Sequence, residues 1–199
     1  MDVPVPSSAA TFRFDPPERV ANWRPLVHWL LVIPHLVVLY ALYLVAEILS
    51  FVSWLIILFT GKLPPGIAGF QVMYLRYSMR TGIFSAFLRE EYPPFTFATT
   101  PDDPGDDPRV RVDVTPQLTD RNRLTVAFRI ILAIPHAIVL SLLGIGVFVC
   151  VFIAFFAVLF TGRWPEGLRG FVLGFARWWL RFEAYVFLLT DDYPPFSMD

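Results

Sequence analysis

Two long apolar runs dominate the order of hydrophobic and polar positions along the chain. The first extends from Leu26 to Thr60 and carries one charged residue, Glu47, whereas the second extends from Ile130 to Thr161 and carries none. Each run exceeds the ~20 residues that cross the ~30 Å hydrocarbon core of a bilayer once. Each is therefore either one over-long helix or a hairpin of two short helices.

The middle of each run favours the hairpin. Glu47 lies near the centre of the first run, where a charge at mid-bilayer would cost about 2.5–3.5 kcal/mol. Gly144 and Gly146 lie at the equivalent place in the second run, where they suit a turn or close helix packing. These residues predict membrane hairpins at about 26–60 and 127–161. Because half of such a run spans only ~22–27 Å, re-entrant insertion is an alternative to full crossing.

Lysine and arginine residues flank both runs and are absent from the proposed turns. They are Arg19, Arg24, Lys62, Arg121, Arg123, Arg129 and Arg163. Since basic residues are enriched in cytoplasmic loops, hairpins place all of them in the cytoplasm, together with both termini. Single crossings would instead divide them between the two faces. The predicted topology is therefore multi-pass, with cytoplasmic termini.

A second helix is predicted after each run, from about 66 to 89 and from about 167 to 189. A Thr-Gly-basic-x-Pro sequence ends each run, because Gly61 or Gly162 can adopt a left-handed C-cap and the proline blocks continuation. The segments that follow mix arginines with many aromatic residues, a composition typical of a helix in the headgroup layer. We therefore predict an amphipathic interfacial helix in each half.

An internal repeat relates the two halves with a constant offset of 101 positions (134 − 33). Ile33-Pro34-His35 recurs as Ile134-Pro135-His136, and Tyr92-Pro93-Pro94-Phe95 recurs as Tyr193-Pro194-Pro195-Phe196. The chain is thus a tandem duplication. Its parts are a first repeat at 1–98, an acidic, proline-rich linker at 99–109 and a second repeat at 110–199. Composition predicts that the linker is solvated.

Each repeat opens with an alternating segment that is predicted to be a strand, at Phe12–Asp15 and at Val110–Asp113. Phe95-Thr96-Phe97 is a further candidate strand in a small extramembrane sheet. The expected fold class is all-α integral membrane. It combines a tandem repeat of a helical hairpin plus an amphipathic interfacial helix with short extramembrane β-strands.

The composition agrees with a bilayer location and excludes other classes. Hydrophobic residues make up 56% of the 199 residues and charged residues 17%, against about 45–50% and about 25% in soluble domains. The net charge of -1 leaves no basic field for phosphates, so no nucleic-acid partner is expected. Cys150 is the one cysteine, which excludes an intramolecular disulfide.

His35 and His136 are candidate functional residues because each follows a proline near the start of an apolar run. The structural interpretation is a helix kink in which the imidazole satisfies a freed carbonyl or faces the interface. The alternative is an intramembrane proton or ligand site. A metal site would need further ligands at helical spacing, and none is present.

Two pairs of arginines are candidates for binding lipid headgroups. Arg76 with Arg80, and Arg177 with Arg181, are like-charged neighbours one helical turn apart, which repel unless an anion bridges them. Guanidinium groups match phosphate geometry, so these pairs are predicted to clamp headgroups. Salt bridges to nearby acids such as Glu90, Glu91, Asp191 and Asp192, or simple solvation, are the alternatives.

Nothing in the sequence indicates catalysis. The acidic pairs Glu90-Glu91 and Asp191-Asp192 precede extended chain, so their side chains point in different directions and do not suit joint acid–base work. No nucleophile motif, phosphate loop, dinucleotide fingerprint or zinc motif is present. We therefore expect a protein that is not an enzyme and that uses no cofactor.

The motifs together resemble a known family. Arg-Phe-Asp, Ile-Pro-His, Phe-Thr-Gly-Lys/Arg-x-Pro and Asp/Glu-Tyr-Pro-Pro-Phe occur in fixed order at residues 11–96 and 110–198. This pattern is similar to the bacterial membrane-protein family catalogued as domain of unknown function 4389, in two tandem copies. The resemblance implies a protein of the bacterial cytoplasmic (inner) membrane, and it brings no substrate or catalytic residue.

Two functional hypotheses follow. The first is an accessory or structural subunit of a larger membrane complex, with anionic-lipid contacts, whose partners are membrane lipids and other membrane subunits. The alternative is a small transporter or lipid-handling protein that uses the paired His and Arg residues along one path.

Overall fold

The computed structural model describes residues 9–199 of the chain. Its helices and strands, in chain order, are β1 Ala10–Phe14, α1 Arg24–Leu31, α2 Ile33–Thr60, α3 Pro65–Ser85, β2 Val110–Val114, α4 Arg123–Ala127, α5 Arg129–Thr161 and α6 Glu166–Val186. The two repeats therefore share one plan: a strand, a short helix, a long apolar helix and a returning helix.

The middle of each long apolar run lies within one continuous helix, α2 or α5, so the predicted membrane hairpins are wrong; the first run also includes most of α1. α2 has 28 residues and α5 has 33, with no break at Glu47 or at Gly144 and Gly146. A glycine costs only about 1 kcal/mol against alanine inside a helix, which is too little to interrupt more than thirty residues of apolar helix former. Glu47 is exposed on the surface of α2 and needs no turn.

The predicted stop signals are confirmed at the end of both long helices. Gly61 and Gly162 are left-handed C-caps, with φ of 69° and 67°, and each donates its backbone N–H to a carbonyl of the last helical turn. Pro64 or Pro165, which follows in extended conformation, is the N-cap of the returning helix. The chain therefore reverses here, at the base of each long helix, and not in its middle.

The returning helices α3 and α6 pack against more elements of the fold than the sequence predicts. α3 packs against α2, β2 and α6, and most of its residues are buried. α6 packs against α5, β1 and α3. α3 is therefore enclosed by neighbouring elements and does not lie free on the surface of the protein, while its placement in the headgroup layer stays a prediction. Its aromatic residues pack in the core because neighbouring elements cover them.

The two predicted strands are confirmed as one antiparallel sheet that joins the repeats. β1 pairs with β2 in a register that sets Phe12 opposite Val112, and both side chains are buried. β2 lies on α3 and β1 lies on α6. Phe95-Thr96-Phe97 is irregular chain and is not part of this sheet.

The two long helices run in opposite directions, and the segment that leads into each one is hydrogen-bonded to the end of the other. The Val20 amide, just before α1, donates to the Gly162 carbonyl at the end of α5 (2.9 Å). The Arg121 amide, just before α4, donates to the Gly61 carbonyl at the end of α2 (3.3 Å). Each long helix therefore begins where the other one ends.

The outer sides of α2 and α5 form a wide apolar surface. Only 17% of the most hydrophobic window of α2 is buried, and only 11% of that of α5, at mean hydropathies of 2.3 and 3.0. By length and composition, both helices could cross a membrane. The charged residues of the sheet and linker lie on the opposite side of α3 and α6.

A pair of glycine substitutions tests where the chain reverses. Gly162→Ala should lower the free energy of unfolding by about 1–2 kcal/mol, because its φ is left-handed. Its new Cβ would also lie 3.0 Å from Asn22 Oδ1. Gly144→Ala should raise that free energy by about 0.5–1 kcal/mol, because the position is helical with nothing within 4 Å of the new Cβ. Chemical unfolding in detergent micelles measures both free energies. If Gly144→Ala destabilised the protein as much as Gly162→Ala does, the result would support a turn at Gly144.

Candidate functional site

Two recurring motifs of the first repeat meet at His35. The imidazole is fully buried, and its Nδ1 hydrogen-bonds with the Tyr77 hydroxyl of α3 at 2.6 Å. Phe95 stacks on the ring at a centroid distance of 4.2 Å, and Tyr92 contacts it at 4.6 Å. The Tyr-Pro-Pro-Phe segment therefore closes over the histidine of the Ile-Pro-His segment as an aromatic cage.

The second repeat builds the same cage around His136. Nδ1 accepts a hydrogen bond from the indole Nε1 of Trp178 at 3.0 Å, and Phe196 stacks on the ring at 3.9 Å. Since an indole only donates, this nitrogen carries no proton and the ring is the neutral Nε2–H tautomer. Tyr193 completes the cage at 4.7 Å. The imidazole thus binds a side chain of the returning helix, not the freed carbonyl that the kink interpretation expects.

The two cages are separate. His35 packs on α3 and on residues 92–95, whereas His136 packs on α6 and on residues 193–196, and within residues 9–199 the ring contacts of the two histidines share no partner. The structure does not bring the histidines together along one path, which the transporter alternative would require.

The arginine pair of the first repeat holds the linker by its backbone. Arg76 is 3% exposed and donates to the carbonyls of Val112 (3.2 Å), Ala98 (3.0 Å), Thr100 (3.0 Å) and Pro101 (3.1 Å). This guanidinium spans three segments of the chain, so its donors are occupied inside the protein and not by a headgroup.

Linker carboxylates complete the same site. Arg80 donates to Asp103 at 2.8 Å and pairs with Asp106 at 2.7 Å. The carboxylate of Asp103, which is 0% exposed, also accepts the Val112 amide of β2 at 2.9 Å. The prediction of a solvated linker therefore fails at Asp103 and Asp107, because partners distant in sequence bury and neutralise these two acids, whereas the other residues from 99 to 108 are exposed.

A third arginine extends this cluster. Arg89 donates to both carboxylate oxygens of Asp107 at 2.6 and 2.7 Å, and both side chains are fully buried. Asp107 also accepts the backbone amides of Arg109 and Val110. We call this set, Arg76, Arg80, Arg89, Asp103, Asp106 and Asp107, the linker cluster.

The arginine pair of the second repeat has a different environment. Among residues 9–199, neither Arg177 nor Arg181 forms an ion pair with a side-chain carboxylate; Arg181 donates to the backbone oxygens of Ser197 and Asp199. Both side chains line a cavity of about 960 Å³ beside β1. Burial lowers the pKa of the Arg181 guanidinium, which an additional anion in this cavity would reverse.

Three carboxylates of the two acidic pairs bind other segments of the chain. Asp191 accepts hydrogen bonds from Arg121 (2.7 Å), Arg129 (2.6 Å) and the Asn122 amide (2.7 Å). Although burial opposes ionisation, these donors hold the pKa of Asp191 below its usual range. Glu90 occupies the equivalent place and accepts the Ala21 amide, while Glu91 pairs with Arg109 at 2.6 Å. Glu90 and Asp191 therefore hold the segments that lead into α1 and α4, whereas Glu91 holds the linker.

Glu183 is a titratable residue that no sequence motif singles out. It lies at a second cavity, of about 510 Å³, which is lined mainly by apolar side chains of α3 and α6. Burial raises its pKa to about 8, against a hydrogen bond from Trp179, and its Oε2 has no partner among the described residues. The equivalent position in the first repeat is Gly82 (183 − 101). This difference between two otherwise matching helices is the sequence feature that could have identified Glu183.

Comparison with known proteins identifies the two repeats. A family model described as "Domain of unknown function (DUF4389)" matches residues 22–96 and 123–198, which confirms the resemblance drawn from the motifs. No curated protein and no solved structure matches the chain. Within residues 9–199, no group of three or more His, Cys, Asp or Glu side chains could hold a metal ion.

The linker cluster predicts a large effect of one buried carboxylate. Asp103→Asn should lower the free energy of unfolding by about 3–5 kcal/mol, because it leaves Arg76 and Arg80 without a full countercharge. Asp102→Asn, at the exposed neighbouring position, should stay within about 0.5 kcal/mol of the wild type. Chemical unfolding followed by tryptophan fluorescence compares them. Equal stability of the two variants would contradict a buried ion pair.

Glu183 predicts a pH dependence of stability. Its pKa is higher in the folded chain than in the unfolded chain, so its contribution is complete below about pH 4.5 and is lost as pH rises toward about 8. The melting temperature of the wild type should therefore fall over this range, and that of Glu183→Gln should fall less. Thermal unfolding at several pH values measures this, and parallel profiles of the two proteins would refute it.

Proposed function

The chain belongs to this family, whose description assigns no activity, and we propose that it is a non-enzymatic membrane protein that acts as an accessory subunit of a larger membrane complex. In this proposal, α2 and α5 embed the protein in the bilayer. The layer of α3, α6, the sheet and the linker carries the contacts to a partner.

The wide apolar surface supports the membrane part of the proposal. From Ile130 to Thr161 there is no charged residue, and exposed side chains such as Phe148 (72%) and Phe160 (76%) stand along the helix. Soluble monomers rarely expose contiguous apolar area of this extent. Lipid is the solvent that such a surface fits.

The different environments of the two arginine pairs support the accessory role. Arg76 and Arg80 hold an acidic chain segment that runs beside β2. Arg177 and Arg181, at the same positions of the second repeat, line a cavity beside β1 together with Asp192 and Asp199, and neither arginine forms an ion pair with a side-chain carboxylate among the described residues. Arg177 and Arg181 occupy the positions that hold the acidic linker in the first repeat. We therefore propose that an acidic, extended segment of a partner subunit binds at this cavity. This is the observation that carries the proposed function.

Anionic-lipid contacts belong to the same proposal. The exposed basic residues at the ends of the two long helices, Lys62, Arg123 and Arg163, suit phosphate headgroups at the membrane surface. The headgroup contact predicted for Arg177 and Arg181 stays a prediction that competes with the acidic segment. The proposed location is a bacterial cytoplasmic membrane, with the sheet and linker in the cytoplasm, since basic residues favour that side.

A peptide with the sequence of residues 100–109, labelled with a fluorophore, tests the partner site on the purified protein. Charge-assisted hydrogen bonds contribute about 1.5–3 kcal/mol, so Arg177→Ala and Arg181→Ala should each weaken binding about tenfold or more. Arg163→Ala, an exposed arginine of the same repeat, should leave the affinity unchanged.

Two controls separate the acidic segment from a lipid. A peptide with asparagine at its four aspartate positions should not bind, because the carboxylates are the ligands. Vesicles of phosphatidylglycerol are offered to the same variants. If they bind in a manner that depends on Arg177 and the acidic peptide does not, the headgroup hypothesis is correct and the partner segment is wrong.

A further inference from the structure

We infer that α2 and α5 lie along the plane of one membrane leaflet and do not cross the bilayer. This inference rests on the proposed membrane association and specifies its geometry. The protein would bind the membrane through one face, with every charged layer on a single side.

The first observation is that α3 returns beside α2 and, at its far end, beside α1. Gln71 donates to Ser50 at 3.0 Å, and Tyr77 meets His35 at 2.6 Å. At the far end, Phe84 stacks on His28 at a centroid distance of 4.2 Å. Whatever depth α2 reaches in a membrane, the central part of α3 therefore reaches as well.

The second observation is what lies on the other side of α3. Arg76 and Arg80, midway along the helix, hold the linker and β2 at this level. The linker and sheet expose charged side chains, including Asp15 (83%), Arg111 (56%) and Asp106 (27%). A bilayer spanned by α2 would hold these charges at hydrocarbon depth, where exposed charges are strongly disfavoured. With α2 in the membrane plane, the same layer lies in water.

The third observation is the distribution of charge along the long helices. Exposed basic residues stand at both ends, Arg19 and Lys62 around the first run and Arg123 and Arg163 around the second. Glu47 is exposed in the middle of α2. In a spanning helix this carboxylate would lie near the bilayer centre, but in a helix along the surface no position is deeper than the ends. One orientation thus suits all five charges.

Helix length agrees with this orientation. At 1.5 Å per residue, α2 is ~42 Å long and α5 is ~50 Å long, well beyond the ~30 Å of the hydrocarbon core. The excess would have to be absorbed by steep tilt in a spanning helix. The length of a helix that lies in the membrane plane does not have to match the thickness of the bilayer. The basic residues then share one face of the membrane, the sidedness that hairpins would also have produced.

Single cysteines on a Cys150→Ala background test the inference in sealed membrane vesicles of both orientations. Arg19→Cys, Lys62→Cys, Arg123→Cys and Arg163→Cys are all exposed positions outside the packed core. A membrane-impermeant maleimide should label all four from one and the same side, together with Arg111→Cys in the sheet. Spanning helices give another result: Arg19 and Arg163 label from one side and Lys62 and Arg123 from the other, because the helix ends pair in that way. That outcome overturns the inference and leaves the accessory role intact.

A depth measurement gives independent support or refutation. Fluorophores at Phe148→Cys, midway along α5, and at Phe160→Cys, near its end, are compared by quenching with lipids that carry a nitroxide at known depths. An in-plane helix predicts equal depths, whereas a spanning helix predicts depths that differ by up to ~18 Å, the rise of twelve residues. Release of the whole protein by alkaline carbonate would contradict the membrane association itself, and therefore both proposals.

Discussion

The ion pairs between the linker aspartates and the arginines of α3 are the constraint on which the rest of the fold depends. Asp103 neutralises Arg76 and Arg80 and also accepts the Val112 amide, so one carboxylate joins α3, the linker and β2. Asp107 and Arg89 do the same at the end of the linker. Buried charges are tolerated only with partners in good geometry, so the linker is held in a single path. That path sets β2 against β1 and thereby joins the two repeats.

The duplication explains why the halves match and where they differ. Both repeats cap the long helix with a left-handed glycine, cage a histidine under Tyr-Pro-Pro-Phe and hold the segment that leads into the short helix with an acid. These features depend on residues that both copies contain. The arginine pairs differ in their partners, because Arg80 pairs with the linker carboxylates of Asp103 and Asp106, whereas Arg181 donates to backbone oxygens of Ser197 and Asp199. Glu183 against Gly82 is a second difference, and it gives the interface between α3 and α6 one titratable group.

The layered arrangement separates two kinds of contact. The apolar sides of α2 and α5 face away from the protein, α3 and α6 form the middle, and the sheet with its linker carries the charges. Lipid and a polar partner can therefore be bound at the same time on opposite faces. The proposed accessory role depends on that division, since such a subunit must keep its place in the membrane while it contacts a neighbour.

The sequence by itself determined the elements that depend on neighbouring residues: the repeat, the strands, the C-caps at Gly61 and Gly162 and the extended Tyr-Pro-Pro-Phe segments. Backbone preferences and side-chain patterns act over a few residues, so they can be recognised without the fold. It did not determine whether Glu47 or Gly144 starts a turn, because a continuous helix accommodates both. Only the tertiary structure decided that Arg76 and Arg80 are inside and that Asp103 and Asp107 are buried, since a charge is solvated or paired according to groups twenty or more residues away. The cavity at Arg177 has the same origin: it depends on which segments pack beside the helix, not on the arginines themselves.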